Sequence, residues 1–228
     1  MTTVPVGIVT GASRGLGLAL VRTLVQREWR LVVDARGAAA LERAVADLEG
    51  VVAIAGDVTD PEHRRALVEA AGDRIDLLVN NAGVLGPSPQ PLLAAYPLAE
   101  LARVYEVNVF APLALVQEAL PRLTPAAAIL DITSDAAVEP YEGWGGYGSS
   151  KAALEQLTAI LATEQPHLRV YSVDPGDMRT QTYQEAFPDE DISDLPVPEA
   201  SVPGLLALVV GSLPSGRYRA RELVGVEA

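Results

Sequence analysis

The 228-residue sequence contains no cysteine, which removes disulfides, thiolate nucleophiles and cysteine metal sites from consideration. Histidine is scarce: His63 and His167 lie far apart and form no HExxH-like pair, so each reads as a surface or packing residue and no metal site is expected. Positive charge is also scarce, 17 Lys plus Arg against 30 Asp plus Glu, a net charge of −13. So acidic a surface repels phosphate backbones and acidic lipid, which makes nucleic acid and membrane poor partners. Any anionic ligand must then be met by a local group of cations. The longest apolar run, Gly204 to Val210, is too short to cross a bilayer. Val4 to Thr10 reads as a strand rather than the apolar part of a cleavable signal, and the expected location is the cytoplasm.

What is present is an alternation. Apolar, β-branched runs at Val6 to Thr10, Leu31 to Ala35, Val51 to Ala55, Ile75 to Asn80, Ala127 to Thr133 and Arg169 to Asp174 read as strands. Between them, Leu16 to Arg27 and Leu41 to Leu48 carry apolar residues at helical spacing, and a long helix is expected over Leu98 to Leu120. Near-continuous apolar strands alternating with helices predict an α/β fold, one doubly wound parallel sheet flanked by helices on both faces, as a single domain over 1–228. A seventh strand is expected, weakly, near Glu222 to Val226. Proline-rich Gly86 to Pro97 reads as a loop, and 177–200, with three prolines and an acidic cluster, as a lid.

Thr10-Gly11-Ala12-Ser13-Arg14-Gly15-Leu16-Gly17 closes the first strand and opens the first helix. Glycines there permit a sharp turn and close backbone approach to a pyrophosphate, while the helix N-terminus offers N–H groups to phosphate. That order of strand, turn and helix predicts a Rossmann-type dinucleotide site. The second strand ends Val33-Asp34-Ala35-Arg36. Arg36, with Arg14, would clamp a ribose 2′-phosphate, which favours NADP(H) and leaves NAD(H) as the alternative. Asp34 sits one residue before the position an NAD-reading acid would take, and strand alternation points it elsewhere.

Tyr147 and Lys151 lie four apart at the start of a helix and so share a face. Lys151 is the sole lysine in the sequence, beside sixteen arginines, which suggests a role that needs a compact ammonium. Asparagine occurs only as Asn80, Asn81 and Asn108, the first two at a strand's C-terminal end, where such sheets bind ligands.

Taken together, the glycine turn, Asn80-Asn81-Ala82-Gly83, Ser134, Tyr147-x-x-x-Lys151 and Pro175-Gly176-x-x-x-Thr180 resemble the single-domain short-chain dehydrogenase/reductase family over roughly Val4 to Thr180. The resemblance implies hydride transfer between a nicotinamide and a small-molecule carbonyl or alcohol. It implies a catalytic set of Asn108, Ser134, Tyr147 and Lys151. Tyr147 would exchange a proton with the substrate oxygen, Ser134 would hydrogen-bond it, and Lys151 would bind the nicotinamide ribose and lower the phenol's pKa. Asn108 would hold a water leading from Lys151 to solvent. Cofactor contacts are implied at Gly11, Ser13, Arg14, Gly15, Leu16, Gly17, Arg36, Asp57, Val58, Asn81, Ala82, Gly83, Tyr147, Lys151, Pro175, Gly176 and Thr180, with Asp57 accepting from the adenine amino group.

The substrate would meet Ser134, Trp144, Asp177, Met178 and Tyr183, and acidic residues near the mouth would disfavour strongly anionic substrates. The family assembles through the helices that carry Asn108 and Tyr147, and a dimer is favoured here because the C-terminal end is short. A non-catalytic NADP(H)-binding sensor or scaffold is the alternative reading, one with no need of the tyrosine, lysine and serine.

Overall fold

The computed structural model describes residues 4–225. Seven strands form one parallel sheet: β1 Val6–Val9, β2 Arg30–Ala35, β3 Val51–Ala55, β4 Ile75–Asn80, β5 Leu123–Ile132, β6 Arg169–Asp174 and β7 Gly216–Arg219, in the spatial order β3-β2-β1-β4-β5-β6-β7. Helices α1 Gly15–Val25, α2 Ala38–Val45, α3 Pro61–Ala71, α4 Leu98–Tyr105, α5 Ala111–Ala119, α6 Gly145–Glu164, α7 Gln181–Ala186 and α8 Val202–Val210 cover it. Parallel strands need crossovers, and these helices supply them.

Strand alternation divides the interior. Val9, Val33, Leu77, Leu130 and Val173 face α1 and α8 on one side. Ile8, Val32, Leu78, Ile129 and Val170 face α3 and α5 on the other. Burying each such side chain contributes about 1.5–3 kcal/mol, which is why both faces must be covered. Strand order reverses between β1 and β4, so their C-terminal ends open a crevice where open α/β sheets bind ligands.

The structure departs from expectation in two places. The helix expected over Leu98 to Leu120 is interrupted: a π-helical turn at Glu106–Phe110 separates α4 from α5, and Asn108 sits at its centre. Apolar periodicity runs through such a bulge, so the pattern does not reveal it. The seventh strand lies at Gly216–Arg219, not Glu222 to Val226, whose last residue falls outside the described ones. The strand is short and holds charge, which hides it. Arg217 bonds Glu155 at 3.0 Å, and Tyr218 packs edge-on against the buried Tyr171 at 5.8 Å. Residues Ala220–Leu223 instead form a 3-10 turn, and Gly204 of α8 lies so close to Ala220 that a Cβ would overlap its carbonyl. No helix among the described residues is long and apolar enough to cross a membrane.

Candidate active site

A cleft of about 640 Å³ runs along the C-terminal edge of the sheet, from β2 past the β1–β4 crevice to β6. Its floor is the glycine turn. Gly11 and Gly15 adopt φ of +68° and +57°, left-handed values that glycine adopts readily. A Cβ on Gly11 would approach the Ala82 Cα to 2.9 Å, so the bare backbone lets the turn lie against the end of β4. Thr10 joins the two: its Oγ1 accepts from the Asn81 and Ala82 N–H groups at 3.0 Å each. Asn81 Nδ2 returns a bond to the Thr10 carbonyl at 2.8 Å. Helix α1 starts without a side-chain cap and without an acid in its first turn, so its N–H groups are left for an anion. Gly11, Ser13, Arg14, Gly15 and Leu16 line the cleft. Gly17 does not. It lies beneath the turn, where a Cβ would meet Asn81 Nδ2 and the Gly11 carbonyl at 2.6 Å.

At the β2 end, Arg36, Asp57 and Val58 line the wall. Asp34 lines the cleft as well, and its Oδ1 accepts from Gly11 N of the glycine turn at 2.7 Å. Its other oxygen meets His63 Nε2 at 2.9 Å. The packing role expected for His63 is therefore a polar one, a partnership that spacing along the chain does not reveal. Asp57 receives Thr59 N and Oγ1 on one oxygen, at 2.9 and 2.8 Å. Burial raises its pKa, but those bonds and the charges of Arg36 and Arg103 outweigh burial and hold the carboxyl below its ordinary value.

At the β5–α6 end, two glycines bring the helix in. A Cβ on Gly148 would meet the Ala136 carbonyl at 2.6 Å, and one on Gly146 would overlap the Tyr96 ring. Their absence allows α6 to close on the 3-10 turn Asp135–Ala137, which Ser134 caps, and so brings Ser134 and Tyr147 to the same wall. Lys151, one turn along, is only 4% exposed; its Nζ donates to the Ile132 carbonyl at 2.7 Å and lies 5.6 Å from the centre of the Tyr147 ring. Burial lowers its pKa to about 8, against the pull of Asp131 and Glu155. Asp131 is itself buried, bonded by Asn80 Nδ2 and Thr158 Oγ1 at 2.7 Å each.

Tyr147 faces carboxylates on that wall. Burial, then the carboxylates of Asp135 and Asp174, push its phenol above the ordinary value, with Ser134 pulling weakly the other way. Lys151 lies 5.6 Å from the ring centre, with one of its three donors on the Ile132 carbonyl and its charge shared with Asp131. Asn108 lies in the π-turn nearby. Its side chain is fully buried behind the wall, accepting from Val84 N and donating to Val84 O at 2.9 Å each, and reaching Ser150 Oγ at 3.0 Å.

The remaining expected residues gather at the mouth. Asn81, Ala82, Gly83, Pro175, Gly176 and Thr180 line the cleft, as do Trp144, Asp177, Met178 and Tyr183. Thr180 caps α7, accepting from Tyr183 N at 3.2 Å. Burial and the neighbouring Asp135 raise the Asp177 pKa, and Arg221 opposes them. Segment 177–200 contributes Asp177 to Tyr183, Ala186, Pro198 and Glu199 to the cleft wall; Phe187 packs at a tilt on Tyr183 at 4.8 Å and on Trp144 at 5.8 Å, and Arg179 N donates to the Pro196 carbonyl at 2.8 Å. Among the described residues no group of three or more His, Asp or Glu side chains converges as a metal site.

Comparison with known proteins places this geometry. The family model for short chain dehydrogenase matches residues 5–191. Benzil reductase ((S)-benzoin forming) of Saccharomyces cerevisiae is 33% identical over 193 residues, covering 78% of this chain and 73% of that one. Serine 3-dehydrogenase of Agrobacterium fabrum is 34% identical over 182 residues, 76% of this chain and 72% of that one. Among solved structures, a short chain dehydrogenase from Escherichia coli CFT073 complexed with NADPH superposes with a TM-score of 0.88 at 27% identity, covering 95% of this chain and 96% of that one.

Proposed function

The chain belongs to the short-chain dehydrogenase/reductase family, oxidoreductases of alcohol and carbonyl groups that work with NAD(P), and from that premise we propose that it prefers NADP(H) and uses Tyr147 to move the proton. One observation carries the reading: Ser134, Tyr147 and Lys151 line the same cleft as an uncapped helix N-terminus and its glycine turn. The bound nicotinamide supplies or takes the hydride. Everything else falls to the chain.

In reduction, the phenol of Tyr147 donates its proton to the substrate oxygen as charge builds there. A phenol held protonated by burial and by Asp135 and Asp174 is suited to that direction. Ser134 steadies the same oxygen. Lys151 takes the nicotinamide ribose hydroxyls, Arg14 and Arg36 the 2′-phosphate, and Asp57 the adenine amino group. Pro175 to Thr180 flank the nicotinamide. The relatives named above act on benzil and on serine, and a small carbonyl or alcohol fits the space between Trp144, Met178 and Tyr183. Asp135 and Asp177 there disfavour strongly anionic substrates. Segment 177–200 serves as a lid. A second copy of the chain docks on the helices of Asn108 and Tyr147, where Phe110 is 52% and Ile160 43% exposed.

A panel of aldehydes, ketones and alcohols, assayed with NADPH, NADH and their oxidised forms by nicotinamide absorbance, tests the reading. Turnover, with NADPH giving the higher kcat/KM over NADH, is expected. Tight NADPH binding with no turnover on any member would make the chain a cofactor-binding sensor instead.

A further inference from the structure

The buried pair behind the adenosine half of the cleft has no part in the chemistry above. Asp34 is 1% exposed and His63 7%. A carboxylate at such depth must find partners, and Asp34 has one on each oxygen: Gly11 N on Oδ1 and His63 Nε2 on Oδ2. Asp34 nevertheless belongs to the cleft wall, one residue before Ala35 and two before Arg36.

Several local features converge on keeping His63 there. Helix α3 is fixed at its start by Asp60, whose side chain accepts from Glu62 N at 2.9 Å, and by Pro61 in its first turn. The next residue along, Arg64, donates to the Val58 carbonyl at 2.7 Å, tying the same turn to the loop after β3. Gly56, at the start of that loop, has no side chain, and any Cβ would overlap the His63 ring. The imidazole thus occupies space that a bare residue leaves for it and points its Nε2 at Asp34.

We infer that His63 is a specificity-determining residue for the cofactor's ribose: by holding Asp34 in the glycine turn it withholds a carboxylate from the 2′-hydroxyl, and the 2′ position is left to Arg36. This rests on the NADP(H) reading above. A carboxylate with one oxygen free at the end of β2 accepts from a ribose 2′-hydroxyl and repels a 2′-phosphate. His63 removes the first effect by occupying the oxygen, and weakens the second by spreading the charge into a hydrogen bond. His63 touches no cofactor atom itself; it acts through Asp34, so its role is one of positioning.

The test is the ratio of the NADPH and NADH dissociation constants, measured by direct binding on the same preparation. Any general loss of folded protein cancels in that ratio. In His63→Leu the preference for NADPH should fall about tenfold, the order expected for one hydrogen bond to a charged group. His63→Gln, which keeps a donor, should stay near the parent ratio. In an Asp34→Asn background the His63→Leu shift should vanish, because no carboxylate is left to release. A parent protein that prefers NADPH, with an unchanged ratio in His63→Leu, overturns the inference and leaves the cofactor reading standing. A parent protein that prefers NADH overturns both.

Discussion

Ser134 donates its hydroxyl proton to the carboxylate of its neighbour Asp135, Oγ to Oδ1 at 2.9 Å. The other Asp135 oxygen takes the Tyr141 hydroxyl at 2.9 Å, so the acid links the serine to the loop that leads into α6. The negative charge of Asp135 also helps keep the Tyr147 phenol protonated.

Burial first, and Asp135 after it, therefore shape the pH response of the two directions. Oxidation needs the phenolate, whose formation is opposed here, so kcat/KM for an alcohol should climb with pH across the neutral range while reduction should not. Asp135→Asn removes one of the charges raising the phenol, and the climb should begin at lower pH. Measuring both pH profiles checks it. Superimposable oxidation profiles for the parent and the variant would show that Asp135 exerts no such control.

Lys151 gives a second pH signature. Its ammonium is deprotonated as pH rises through about 8, because burial disfavours the charge. With the protonated form proposed as the one that grips the ribose, cofactor affinity should be fully present below that value and decline above it. The cofactor KM should rise about tenfold per unit beyond the transition, following the fraction protonated. Lys151→Met should show weak binding with no such slope. Lys151→Arg should not rescue, since a forked guanidinium does not fit a site only 4% exposed with one carbonyl to meet.

Asn108 is expected to act on stability as much as on rate. Asn108→Ala leaves both main-chain polar groups of Val84 without their side-chain partner. The expected loss is about 1–3 kcal/mol, seen as a lower Tm in thermal unfolding. An unchanged Tm would show that the bonds to Val84 carry no weight.

Segment 177–200, proposed as a lid, makes a prediction about substrate alone. Phe187 bridges Trp144 and Tyr183 and does not reach the adenosine side. Phe187→Ala should raise the substrate KM about tenfold, the order of two lost aromatic contacts that hold Trp144 and Tyr183 on the cleft wall, and leave the cofactor KM in place. A rise in both KM values together would mean that 177–200 belongs to the cofactor site.

The parts of this account legible in the sequence were those written in short range. Strands buried on both faces are continuous apolar runs, and the glycine turn and the Tyr147-x-x-x-Lys151 spacing each lie within one turn of chain. What escaped was made by packing. Asp34 and His63 are 29 residues apart and meet only because α3 crosses behind β2. The π-turn at Asn108 keeps an ordinary helical pattern, and the last strand is a charged Gly-Arg-Tyr-Arg whose fit depends on Tyr171 and Glu155. The electrostatics of Tyr147 escaped for the same reason: the lysine four residues on was evident, but the burial of the phenol and the carboxylates of Asp135 and Asp174 around it were not.

The most direct measurement is single-turnover reduction by Tyr147→Phe beside NADPH binding by the same protein. Loss of at least about a hundredfold in rate, the lower range for a proton-transfer group, with the dissociation constant within about threefold of the parent, is the expected result. Reduction at the parent rate by the phenylalanine variant would contradict the assignment of Tyr147 to the chemistry.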